Sequence, residues 1–232
     1  MVSAIIVGGG KGRRMKSAVN KQYIKLGGRE IIVRTLETFQ ACDTINEIVL
    51  VLPEDEIDYF KKEILKNHCI SKLIAIVPGG QERQDSVYNG LKACSKGTDI
   101  VLIHDGARPF VTEDIITSVV QAAAEYGAST AAVRVKDTIK YEDGHGIAES
   151  SLDRSRLWAI QTPQGFKYSV ILEAHEHAKE KGINATDDTA LAELKGHRAR
   201  LIEGSYYNIK ITTPEDVVLG KAIAEKMDKK EK

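Results

Sequence analysis

Cations gathered around glycines are the first chemistry this sequence offers. Gly8-Gly9-Gly10-Lys11-Gly12 runs into Arg13-Arg14-Met15-Lys16, and with Lys21 five cations fall within eleven residues. Glycines let backbone N–H groups approach an anion with no Cβ in the way and permit positive φ, while the basic side chains neutralise charge, so the stretch reads as a phosphate cradle. The glycines alone would equally suit a tight turn after a first strand; the cations favour an anionic ligand. Two familiar phosphate loops are excluded by spacing. No register supplies G-x-x-x-x-G-K-[ST], and the third glycine of G-x-G-x-x-G falls on Arg13 or Met15.

Other stretches carry chemistry at intervals along the chain. Asp105 and Arg108, in His104-Asp105-Gly106-Ala107-Arg108-Pro109, follow an apolar run: an acid at a strand tip can orient a substrate hydroxyl or a metal, and an arginine offers a bidentate phosphate contact. The alternative is a structural Asp105–Arg108 pair. His104 reads as an ordinary buried histidine. Gly79-Gly80-Gln81-Glu82-Arg83, with Ser86, suits backbone and hydroxyl contacts to a base or ribose, or a plain capped helix. His175-Glu176-His177 lacks the H-E-x-x-H spacing and is expected to face solvent. Thr186-Asp187-Asp188 is a helix start by its cap chemistry, and Lys210, between Ile209 and Ile211, faces either solvent or a ligand.

These residues need a scaffold, and the patterning supplies one. Strands are expected at 4–7, 47–52, 72–77, 99–103, 128–133, 199–203 and 208–211. Helices are expected at 31–39, 55–66, to about Ala93, at 112–126 and 167–181, from the Thr186 region, and after Pro214. Alternating strand and helix imply a doubly wound, mostly parallel α/β sheet whose ligands lie beyond the strand C-termini. Polar runs on either side of Glu142-Asp143-Gly144 predict a hairpin too polar for the core, hence a projecting β-arm that needs a surface to pack on, most simply a second copy. The tail 228–232 is expected to fray.

The chain has 33 basic and 33 acidic residues, so no polyanion partner is implied and any anion site must be local. Cys42, Cys69 and Cys94 form no C-x-x-C pair, which suggests neither disulfides nor zinc. A signal peptide and a membrane span are not expected, and a cytoplasmic location is.

Taken in order, these motifs resemble the 2-C-methyl-D-erythritol 4-phosphate cytidylyltransferase family. The resemblance rests on Gly12-Arg13-Arg14-Met15 with Lys21, the H-D-x-A-R-P stretch at His104, Thr138, Arg154, the T-D-[DE] element at Thr186 and N-I-K-[IV]-T at Asn208. It implies a Rossmann-like nucleotidyltransferase fold in one domain (1–232), with 136–158 as a dimerisation arm. The implied reaction joins CTP and a polyol phosphate, without nucleic acid or membrane. Arg14, Lys21, Arg154 and Lys210 are implied as catalytic. Gly8, Gly9, Gly10, Arg13, Gly80, Gln81 and Ser86 would bind nucleotide, with Arg83 supporting its loop, and Asp105, Arg108, Thr138 and Thr186 would bind acceptor. Mg2+ or another divalent cation would be held mainly by substrate phosphates. Gly8 and Gly9 stand where the family commonly has alanines. Ribitol 5-phosphate as acceptor, or a non-catalytic nucleotide-binding regulator, are the other readings.

Overall fold

The computed structural model describes residues 1–8 and 20–229. Gly9, Gly10, Arg13 and Arg14 lie outside the described residues. β1 (Val2–Val7) is followed by a short hairpin, β2 (Lys25–Leu26) and β3 (Arg29–Glu30), and by α1 (Ile31–Ala41). β4 (Glu47–Leu52) leads through an irregular helical stretch that contains α2 (Ile57–Tyr59) to β5 (Leu73–Pro78) and α3 (Arg83–Ala93). β6 (Ile100–Asp105), α4 (Glu113–Tyr126) and β7 (Ala128–Arg134) come next, then β8 (Lys140–Glu142) and β9 (Ala148–Ser151). The chain closes with β10 (Trp158–Lys167), α5 (Tyr168–Lys181), α6 (Asp188–Leu194), β11 (Arg200–Glu203) and α7 (Pro214–Asp228).

Seven strands form one sheet in the order β11-β7-β10-β6-β1-β4-β5, parallel except for β10, which runs antiparallel to both neighbours. From β1 the chain moves outward through β4 and β5, then returns to the other side of β1 as β6. The order therefore reverses between β1 and β6, the position at which doubly wound sheets open a ligand crevice. Alternation along the central strands feeds two cores. Ala4, Ile6, Leu50 and Leu102 pack with Ile32, Leu36, Phe39 and Ile116 on one face, and Ile5, Val49, Val101 and Ile103 with Val87, Leu91 and Ile171 on the other. β8 and β9 pair only with each other, and every residue in them is exposed, as the polar arm predicts. Among the described residues no helix is long and apolar enough to cross a membrane.

Four expectations need correction. Trp158–Lys167 is a central strand; Pro163 and the polar Gln161, Thr162 and Gln164 hid it, and the proline is tolerated because it falls at a register break between Ile160 and Gln164. Asn208–Ile211 is not a strand. Its amides and carbonyls go elsewhere: Ile211 N–H donates to the Ala107 carbonyl at 2.9 Å, and the Asn208 carbonyl accepts from Arg108 Nη1 at 2.8 Å. The expected helix 55–66 is broken into a 3-10 turn (Glu54–Glu56), α2, a π turn (Phe60–Ile64) and a second 3-10 turn (Leu65–Asn67). Glu56, Phe60 and Ile64 must all be buried, and four-residue steps drift by about 40° each on an α-helix, so a widened turn keeps them on one face.

The fourth correction is Asp228. It does not fray: both its oxygens accept from Arg34, at 3.0 and 2.7 Å, while Arg34 Nε donates to the Leu26 carbonyl at 2.7 Å. The end of α7 is thereby fastened to the β2–β3 hairpin. Truncating Asp228 leaves the buried guanidinium without its carboxylate. Asp228→Ala is expected to lower unfolding free energy by about 2 kcal/mol in urea titrations, as for hydrogen bonds to charged groups; an unchanged midpoint would assign the pair no net contribution.

Candidate active site

The sheet brings the C-terminal ends of β1, β5 and β6 to one edge. Val7 stands opposite Asp105 in the ladder, so Gly8 and Gly106 leave neighbouring strands side by side. A side chain at either would displace a neighbouring methyl group. A Cβ on Gly8 would lie 2.7 Å from Leu52 Cδ2, and one on Gly106 2.6 Å from Ile32 Cδ1. Close approach, rather than positive φ, is what favours a small residue at these two positions.

Beside them lies a cluster of charge centred on Asp105. Its Oδ2 is 2.8 Å from Lys210 Nζ and 3.7 Å from Arg108 Nε, and its Oδ1 accepts from Arg83 Nε at 3.2 Å. Three cations from three separate parts of the chain thus converge on one buried carboxylate. The simple Asp105–Arg108 pair is the loosest of the three contacts. Arg83 continues the chain of contacts inward, donating from Nη1 to Asp188 Oδ2 at 2.7 Å, and Asp188 Oδ1 lies 3.1 Å from His175 Nε2. Burial alone would raise the Asp105 carboxyl, but Arg83 and Lys210 hold it well below the usual carboxylate range. Asp188 is likewise held low, against its burial, by Arg83 and His175. His104, beneath the cluster, is fully buried, with Nε2 3.1 Å from the Arg108 carbonyl and Nδ1 3.1 Å from Thr162 Oγ1; burial pushes its pKa down to about 4, so it is a neutral brace.

The remaining site candidates fall on three surfaces. Gly80 N–H donates to Ser86 Oγ at 3.0 Å, and Ser86 donates to the Glu82 carbonyl at 3.1 Å, so the buried Ser86 hydroxyl shapes the loop that leaves Gly80 and Gln81 exposed. Thr186 is exposed and does not cap α6. Asp187 does so, accepting from Ala190 N–H at 2.8 Å, and its neighbour Asp188 is the residue that reaches Arg83. Thr138 and Arg154 sit exposed on the arm, where Arg154 Nη1 donates to the Lys136 carbonyl at 2.6 Å. Lys21 opens a 3-10 turn (Lys21–Tyr23) on the way from the glycine loop to β2. Lys210 keeps 38 % of its side chain exposed, enough for a ligand to reach it while Asp105 holds it.

His175 is a correction. It was expected in solvent and is buried, because it belongs to the Ile171, Ala174, His175, Ala178 stripe that α5 turns to the core. The helical spacing carried that signal; its partner Asp188, thirteen residues on, did not announce itself. Nor does Asp105 fit the part of a metal ligand, since its oxygens are engaged by Lys210 and Arg83, and the described residues hold no cluster of three or more His, Cys, Asp or Glu suited to a metal.

A model of the 2-C-methyl-D-erythritol 4-phosphate cytidylyltransferase family matches residues 2–226. The chain belongs to this family. It is therefore a nucleotidyltransferase, and its sheet is the family's Rossmann-like fold. The enzyme of that name from Alkaliphilus oremlandii is 50% identical over 221 residues, covering 95% of this chain and 94% of its own, and that of Geobacillus thermodenitrificans is 50% identical over 220 residues, 95% of each. Among solved structures, 4-diphosphocytidyl-2C-methyl-D-erythritol synthase from Anaerococcus prevotii superposes with a TM-score of 0.86 at 34% identity, covering 97% of this chain and 96% of that one. The Thermus thermophilus cytidylyltransferase gives 0.78 at 31%, covering 97% and 100%.

The buried Arg83–Asp188 pair makes a prediction about acid. A carboxyl whose folded pKa is depressed contributes stability fully present above its unfolded value, about 3.9, and lost as pH falls through the folded value. Asp188→Asn should cost about 3 kcal/mol at neutral pH, since it leaves Arg83 short of a buried partner. Its urea stability should also fall less steeply than the parent's as pH is lowered below about 4. Identical acid slopes would mean that the pair is not the source.

Proposed function

We propose that this chain joins CTP and 2-C-methyl-D-erythritol 4-phosphate to give 4-CDP-2-C-methyl-D-erythritol and pyrophosphate, in the non-mevalonate route to isoprenoids. The observation that carries the reading is the convergence of Lys210, Arg108 and Arg83 on Asp105, beside Gly8 at the strand-order reversal. An acceptor phosphate oxygen attacks the α-phosphorus in line. The new P–O bond forms as the bond to the β-phosphate bridging oxygen breaks, and pyrophosphate leaves with the electron pair. Both reactants are anions and charge grows on the α-phosphoryl oxygens, so fixed cations, not a general base, are what the reaction needs.

In this reading Arg14 and Lys21 stabilise the triphosphate and the transition state, with Arg13 flanking. Gly8, Gly9, Gly10, Gly80, Gln81 and Ser86 form or shape the nucleotide pocket. Lys210 and Arg154, with Thr138, Arg108 and Thr186, position the acceptor, and Asp105 keeps Lys210 aimed. A divalent cation such as Mg2+ would be held mainly by the CTP phosphates and would neutralise part of their charge; among the described residues no group of three or more His, Cys, Asp or Glu could hold one.

We also infer a homodimer in which the arm reaches the partner's site. Exposed Tyr141 and Ile147 on the arm support this, since a two-stranded ribbon is marginal without a surface to cover it. The root is firm: Arg134 stacks on Trp158 at 4.1 Å, Lys136 lies 3.5 Å from the Tyr206 ring, and Tyr206 donates to the Arg134 carbonyl at 2.8 Å.

Pyrophosphate release from CTP with magnesium tests the reaction. It should require 2-C-methyl-D-erythritol 4-phosphate, fail with ribitol 5-phosphate, and fall by about 100-fold or more in Lys21→Ala. Release with ribitol 5-phosphate alone would change the acceptor, and none with either would leave a nucleotide-binding protein without catalysis. Mixing Lys21→Ala with Arg154→Ala protein should restore part of the activity if sites are shared; no recovery would confine each site to one chain.

A further inference from the structure

The segment that carries Lys21 is gripped from both sides by a single carboxylate. Asn20 Nδ2 donates to Glu56 Oε1 and Gln22 Nε2 to Glu56 Oε2, so the residues immediately before and after Lys21 share one anchor. Glu56 and Gln22 are buried, at 8 % and 2 % exposure, and Tyr23 packs edge-on against Tyr59 at 5.1 Å between ring centres. The anchor is itself rooted: Glu56 ends the 3-10 turn that follows β4, and its N–H donates to the Pro53 carbonyl at 3.0 Å. Nothing in the reaction calls for a buried acid here, and it lies outside the Asp105 cluster.

We propose that Glu56 is a positioning residue for Lys21, fixing the lysine's backbone against the end of β4 so that its ammonium is held where negative charge develops. The proposal rests on the role given to Lys21 above. The chemistry of the grip explains the residue type. Two amide donors aimed at one group need an acceptor at each of its two oxygens, and only a carboxylate offers both. A glutamine would turn its own NH2 toward one of the donors, breaking that contact without changing size. Fixing both neighbours removes φ and ψ freedom from Lys21 before substrate arrives, which is how a cation on an otherwise short turn becomes preorganised.

A purely structural brace would lower stability without regard to Lys21, so the test is a double-mutant cycle. Single-turnover pyrophosphate release with enzyme in excess, which reads even slow residual rates, is compared for the parent chain, Glu56→Gln, Lys21→Ala and the double variant. Glu56→Gln should reduce the rate about tenfold or more, while the CTP concentration at half-maximal rate moves by less than about threefold. In the Lys21→Ala background the same substitution should have no further effect. Asn20→Ala, at an exposed position, removes one of the two bonds and should give a smaller loss with the same dependence on Lys21; it decides the matter if Glu56→Gln does not fold. Unchanged rates in Glu56→Gln, or equal losses in both backgrounds, would overturn this proposal alone. Full activity in Lys21→Ala would overturn it together with the role of Lys21.

Discussion

Like charges do not gather unless something holds them, and here Asp105 does. Lys210, Arg83 and Arg108 would repel one another if brought to one strand end unaided. The carboxylate offsets that repulsion, and a second one, Asp188, shares Arg83. The result is a positive region built before any anionic ligand enters. Such a region need not reorganise when charge develops on a phosphoryl group, and this distinguishes a fixed site from a set of mobile surface lysines. Each contributor comes from a different stretch of sequence, so the cluster is a product of the completed fold.

The sheet makes that assembly dependable. β1 and β6 are buried on both faces, and their adjacent ends leave at Gly8 and Gly106, where a Cβ would press on the side-chain tips of Leu52 and Ile32. Around this floor the polar layer is knit by side chains that bridge elements. Thr162 accepts from Asp105 N–H at 3.0 Å, Asn208 Nδ2 donates to the Thr162 carbonyl at 2.9 Å, and Gln164 Oε1 accepts from Asp188 N–H at 3.2 Å while its Nε2 donates to Asp187 at 2.9 Å. Buried polar groups that are satisfied in this way specify geometry as well as tolerate burial.

How much of this could be read in the sequence depended on whether a residue's signal was local. The parallel strands and their helices were legible because period-two and period-3.6 patterns, the Thr112 cap and the first-turn Pro214 are written within a few residues. Asp105 and Arg108 stood out by residue type just past a strand, Lys21 as one of the cations after the glycines, and Lys210 through the resemblance. β10 was not legible, since its polar middle is buried by partners elsewhere in the chain and Pro163 reads as a strand breaker. The sites of Arg83, Asp188 and Glu56 depended on contacts across 22, 105 and 34 residues, which no window of sequence displays.

The reversed strand β10 has a consequence for how the arm is attached. Because β7 and β10 run in opposite directions side by side, the chain leaves the sheet and re-enters it at adjoining points, with Val135 N–H donating to the Leu157 carbonyl at 3.3 Å. The two ends of the excursion are held together by the sheet whatever lies between them. Loop-closure entropy grows only slowly with length, so holding the arm's ends together costs the sheet little more than a short turn would. One strand set against the others thus makes the sheet itself the clasp at the base of the arm.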